Sequence, residues 1–189
     1  YTHECGVSMT IARVAIDSGY ATQDVYRWAR LQSPQQVLVV KGLEHAAAPI
    51  GQPSHVEVTV HGKRIKRGVR LWPVATSMLK GELYRWLRLY KPTDPDDPYP
   101  HGYCHFPQLN EEFFKQLTAE QLVESQTRSG YKKLEWQKTR DRNEALDTRI
   151  YARAAAIQFG MDRFDARKWK QLREAIEIQA HEIEEERTS

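Results

Sequence analysis

Apolar positions along the chain switch between two periods, and the switches outline its elements. "IARVAID" (residues 11–17) is a short apolar run closed by an acid and followed by "SGY", which predicts a buried strand and then a turn. "ATQDVYRWARL" places Val25, Trp28 and Ala29 on one stripe and predicts a short helix, with Thr22 as its candidate cap. "QVLVVKG" (36–42) predicts a second buried strand closed by glycine. Strand, helix and strand in succession imply a right-handed crossover between parallel strands. Residues 43–55, with two prolines, form a loop. Val56, Val58 and Val60 then alternate, the chain turns at His61-Gly62, and it returns through Ile65, Val69 and Leu71, the pattern of a β-hairpin.

Helical spacing resumes with Met78, Leu79, Leu83, Trp86 and Leu87. "KPTDPDDPYPHG" carries four prolines and predicts a surface loop. "YCHFP" suits a short strand. "EEFFKQLTAEQLVES" predicts helix, with Thr118 starting its second part. "GYKKLEWQKTRDR" is basic and aromatic. A long helix is expected from about Asn143 to Phe159, and after Gly160 a last helix from about Arg163 to Arg187. The stripe of that last helix is Trp169, Leu172, Ile176, Ala180 and Ile183. No segment repeats, and no GxxxxGK[ST] loop is present, which excludes ATP hydrolysis by that route.

Composition narrows this picture. A chain of 189 residues suits one domain with an extension, here a domain over 1–160 and a helical extension over 161–189. It is 40% hydrophobic and 28% charged, which reads as a globular protein with a charged surface. No apolar run approaches the ~20 residues of a membrane span, and no signal-peptide pattern opens the chain. Two cysteines, Cys5 and Cys104, are too few for a disulfide scaffold, so a reducing compartment is the simpler expectation. Tyr1 stands where an initiator Met would, which leads us to expect a piece of a longer protein. The net charge of +3 is mild, so the distribution of charge carries more than its total.

Asp17 ends a predicted interior strand, where parallel sheets open the crevice that binds ligands. It reads either as a metal or ligand-binding carboxylate or as the cap of the following helix. Glu144 and Asp147 share a helix face three positions apart. They read either as acids that suit the helix dipole or as metal ligands. Two basic clusters change their context: Lys63, Arg64, Lys66, Arg67 and Arg70 on the hairpin, and Lys132, Lys133, Lys138, Arg140 and Arg142 with Tyr131 and Trp136 interleaved. Cations that hold a phosphodiester backbone beside acids that hold a metal suit a nucleic-acid substrate; a solvated charged surface gives the same pattern. Lys41 ends a strand and either reaches a phosphate or snorkels to solvent. His101, Cys104 and His105 match no closed zinc pattern, and Cys104 reads as a small core residue.

In order along the chain, "VAIDSGYATQDVYRW", "VLVVKG", "KRIKRGVRLWPVATSMLKGELYRWL", "GYCHFP", "FFKQLTAEQLV" and "RNEALDTRIYARAAA" resemble the nuclease domain of lambda-type tailed-phage terminase large subunits, from about residue 12 to residue 160. The resemblance implies an RNase H-like α/β fold: a mixed sheet flanked by helices, with acids clustered at strand ends around Mg2+ or Mn2+. It implies cleavage of double-stranded, concatemeric DNA during genome packaging, in the cytoplasm of the infected bacterial host, with the terminase small subunit and the portal as partners. Asp17 matches the acid of the family's "DSG" segment, Glu144 and Asp147 its "NEALD" segment, and Lys41 its "KG" segment. In the family an acidic "DVQ"-like strand precedes "DSG"; residues 1–10 are too short to hold it, so the sheet is expected to lack its first strands. A second departure is Gly81, where the family carries an acid after the lysine. The alternatives from other classes are a DNA-binding clamp without catalysis and a protein-interaction module built on the last helix.

Overall fold

The computed structural model describes residues 1–188, with side chains as far as Glu185. Four strands form a mixed sheet in the order β1-β2-β4-β3. β1 (Val14–Asp17) runs parallel to β2 (Val37–Leu43), with Asp17 beside Val40. β2 is parallel to β4 (Lys63–Ala75), and β4 is antiparallel to β3 (Ser54–Val60). β1 is therefore one edge of the sheet, not the interior strand that its apolar run suggested. The hairpin turn at His61-Gly62 has positive φ at both residues, the two-residue turn whose twist matches its strands.

The period-two alternation of β2 divides the core. Leu38 and Val40 face α2 (Thr76–Trp86), α3 (Glu111–Leu117) and α4 (Glu144–Phe159), through Leu79, Leu83, Leu117, Leu146 and Ile150. Val39 faces the other way, with Val58 and Val69, onto Tyr26 of α1 (Thr22–Ala29). Helices thus cover both faces of the sheet. Ala154 and Ala155 are buried, and side chains this small let α4 lie close to the sheet beside β1. Gly160, in the left-handed region, ends α4. A 3-10 turn, Met161–Arg163, leads to α5 (Ala166–Thr188).

Several expectations are corrected. The first strand begins at Val14 rather than Ile11. Thr22 does not cap α1: Ala21 is the N-cap, and the Thr22 hydroxyl donates to the Ser18 carbonyl at 2.7 Å. "YCHFP" forms no strand. "TAEQLVES" is not the second half of a helix. α3 stops at Leu117, and β5 (Glu120–Gln126) pairs antiparallel with β6 (Lys132–Lys138) in a separate two-stranded sheet. No helix among the described residues is long and apolar enough to cross a membrane.

Candidate active site

Asp17, Glu144 and Asp147 line one groove, of about 810 Å³, between β1 and α4. Asp17 comes from the C-terminal end of β1. Its Oδ1 accepts the Gly19 N–H at 3.2 Å, and it caps no helix. A Cβ on Gly19 would sit 3.0 Å from Asp17 Oδ2, so glycine keeps that carboxylate clear. Ser18 is fully buried and donates to the Val40 carbonyl at 2.9 Å, which fixes the strand end that carries the acid.

Asp147 turns inward from the first turn of α4. Asn143 Nδ2 donates to its Oδ2 at 3.2 Å and to Glu120 Oε1 at 3.0 Å, while Asn143 Oδ1 accepts from Lys138 Nζ at 2.9 Å. Glu120, only 5% exposed, also takes the Lys80 ammonium on Oε2 at 2.7 Å. The Tyr84 hydroxyl donates to the Glu120 carbonyl at 2.5 Å. Asn143 is the N-cap residue of α4 but makes no capping bond; Gln116 of α3 accepts the Ala145 N–H instead, at 3.3 Å.

Burial raises the Asp147 carboxyl above the ordinary aspartate range. Glu120 and Asp17 push it further the same way, while Lys80 and Lys138 oppose them. Tyr151, one turn along α4, is also raised, chiefly by burial and then by the charges of Asp17 and Asp147. Its hydroxyl lies where a Cβ on Gly42 would come within 2.9 Å of it. Glu144 behaves differently. It is exposed, held below the ordinary glutamate range by its own backbone N–H, and its other partner is Arg142 at 3.3 Å. Of the two acids on α4, Asp147 joins the buried network and Glu144 stands on the rim.

The other predicted residues are dispersed. Lys41 is exposed, and the alternation of β2 turns it to the face opposite Val40, away from α4. Lys63, Arg64, Lys66 and Arg67 are exposed on the first half of β4. Lys132 pairs with Glu124 at 2.8 Å, and Lys133 pairs with Glu135. Arg142 is engaged by Glu144, and Arg140 lies exposed near Glu111. Lys138 points into the site rather than away from it. Cys104 packs on the core, His101 meets the Trp86 ring edge-on, and His105 sits between Tyr99 and Tyr103, so these three converge on no ion.

Sequence reasoning missed Glu120, Lys80, Asn143 and Tyr151. Glu120 was hidden by reading its segment as helix. Its usable signal was "LT" after the last helical apolar pair, a stop before a polar strand. Among the described residues no three His, Cys, Asp or Glu side chains stand close enough together to hold a metal ion as they are.

The family described as terminase large subunit gpA, endonuclease domain, matches residues 1–169. The chain is 34% identical over 161 residues to the terminase large subunit of Escherichia phage lambda, covering 82% of this chain and 23% of the relative. It is 36% identical over 160 residues to that of Enterobacteria phage P21, with the same coverage. It therefore spans about a quarter of the length of these relatives. No solved structure matches it.

Proposed function

The chain belongs to the terminase large subunit gpA endonuclease-domain family, and from that premise we propose that it is a divalent-metal-dependent endonuclease that cuts concatemeric phage DNA for packaging. The observation that carries this reading is the pairing of Asp17 with Asp147 across one groove, at a strand end and a helix start, backed by the buried Lys80–Glu120–Asn143 network. An RNase H-like arrangement of the sheet fits the same placement. The terminase small subunit and the portal are the proposed partners, in the cytoplasm of the infected host.

The residues fit a hard cation. Asp17 and Asp147 offer carboxylate oxygens, and Asp17 spends only one on the backbone. Burial and like charge disfavour an ionised Asp147, and a divalent ion beside it would relieve that cost. Mg2+ or Mn2+ held by these two acids, with Glu144 at the rim, would supply an activated water and stabilise the leaving oxygen. The chain's own part is to hold Asp147 in place through Asn143 and to set Lys80 as a fixed cation beside the acids. Lys80, rather than Lys41, faces the reacting groups in this reading. Lys63, Arg64, Lys66, Arg67 and Arg140 would bind phosphates; Lys132, Lys133 and Arg142 would first have to leave their acidic partners.

A clamp without catalysis is the second reading, favoured by the lack of a three-ligand cluster among the described residues. Nicking of supercoiled plasmid by the protein in Mn2+ separates the two. We expect Asp17→Asn and Asp147→Asn each to lower the rate by about 10²-fold or more at unchanged circular dichroism. Wild-type rates in both variants would reject the catalytic reading.

A further inference from the structure

α5 is 23 residues long, about 34 Å, and none of its described side chains is fully buried. Trp169 is 49% and Leu172 37% exposed, while Ile176, Ala180 and Ile183 are half-buried. These five make one narrow stripe, and its first four members face residues 3–10 of the same chain across an open groove of about 770 Å³. Ring contacts from Phe159 through Phe164 to Trp169 tie the start of the helix to the end of α4.

Two properties of this helix point to the same occupant. The first is charge. Arg167, Lys168, Lys170 and Arg173 lie in its first half, opposed only by Glu174, and Glu182 and the run Glu184–Glu186 lie in its second, opposed only by Arg187. That order opposes the helix dipole, which favours acids at the N-terminus and bases at the C-terminus. The contacts in its first half are modest: Asp165 accepts the Lys168 N–H at 2.8 Å, and the Arg167–Asp165 and Lys170–Glu174 pairs, at 3.8 and 3.6 Å, are mostly exposed. The second property is symmetry. The stripe reads the same outward from Ile176 in both directions, with Leu172 and Ala180 four residues away and Trp169 and Ile183 seven away.

We propose that α5 is a self-association surface whose occupant is the α5 of a second copy, packed antiparallel about a two-fold axis at Ile176. In that register Trp169 packs on Ile183, large Leu172 on small Ala180, and Ile176 on itself. Lys170 of each copy then faces Glu182 of the other, and Arg167 and Lys168 approach Glu185 and Glu184. Each helix thereby sets its charges against the opposite end of its partner's dipole. An isologous contact of this kind closes on itself. A single helix pair is a small interface, so the dimer is weak and concentration-dependent.

The test is sedimentation velocity of the whole chain over a concentration series, with Lys170→Glu and Glu182→Lys prepared separately. Both positions are exposed, so neither change threatens the fold. The wild type should dimerise. Each variant alone should associate about tenfold more weakly or worse, since attraction becomes repulsion at both symmetry-related pairs. An equimolar mixture of the two variants should restore dimer to the wild-type level, because in the mixed dimer each introduced charge again faces its opposite. A wild type that stays monomeric, variants that dimerise unchanged, or a mixture that fails to recover would overturn the proposal. A parallel dimer or an unrelated partner on the stripe would give the last of these.

Discussion

Asn143 stands where an asparagine ordinarily caps a helix, yet its amide bridges Glu120 and Asp147 and takes a bond from Lys138. That exchange shows what stabilises this corner: a capping bond is worth about 1 kcal/mol, while a buried carboxylate left without partners costs several. Lys80 carries the largest share, because its ammonium is the only full charge bonded to the buried Glu120 carboxylate among the described residues. We expect Lys80→Met to cost about 3 kcal/mol and to lower Tm by roughly 6–12 °C. An unchanged thermal unfolding curve would mean that the pair is open to water. The positions of Asp17 at a strand end and Asp147 at a helix start were legible from period, while their reading as metal ligands came from the flanking basic clusters and the family resemblance and stands as a proposal. Which of Glu144 and Asp147 turns inward was not legible. Three-residue spacing puts both on one face, and only the Glu120–Asn143 partners distinguish them.

The elements with strong apolar periods were the ones the sequence displayed. β2, the hairpin and α4 formed where the pattern put them, since each buries a face that no other conformation would bury. β5 and β6 were not visible because "EQLVESQ" and "KKLEWQK" lack a clean apolar alternation; they are held by each other and by contacts such as Trp136 Nε1–H to Ser77 Oγ at 3.0 Å. The hairpin offers a prediction at this scale. Arg67 has positive φ just before Gly68, a kink that twists the exposed basic end of β4. If Lys63, Arg64, Lys66 and Arg67 contact duplex phosphates, neutralising any one should reduce the slope of log K against log salt by roughly 0.9, without regard to sequence. Four variants with the parent's slope would make this a plain solvated face.

At the scale of the molecule, the sheet ends at β1, and the acid-bearing groove lies along that edge. An edge strand presents unpaired backbone groups that another strand can use. A strand added there would lie beside Asp17 and could bring the further carboxylate that the described residues do not assemble. Whether Asp17 and Asp147 together hold the divalent ion is read most directly from a crystal of the protein soaked in Mn2+. Anomalous density is expected between the two carboxylates, with Lys80 still on Glu120. A site left empty of density there, with Mn2+ bound elsewhere or nowhere, would contradict it.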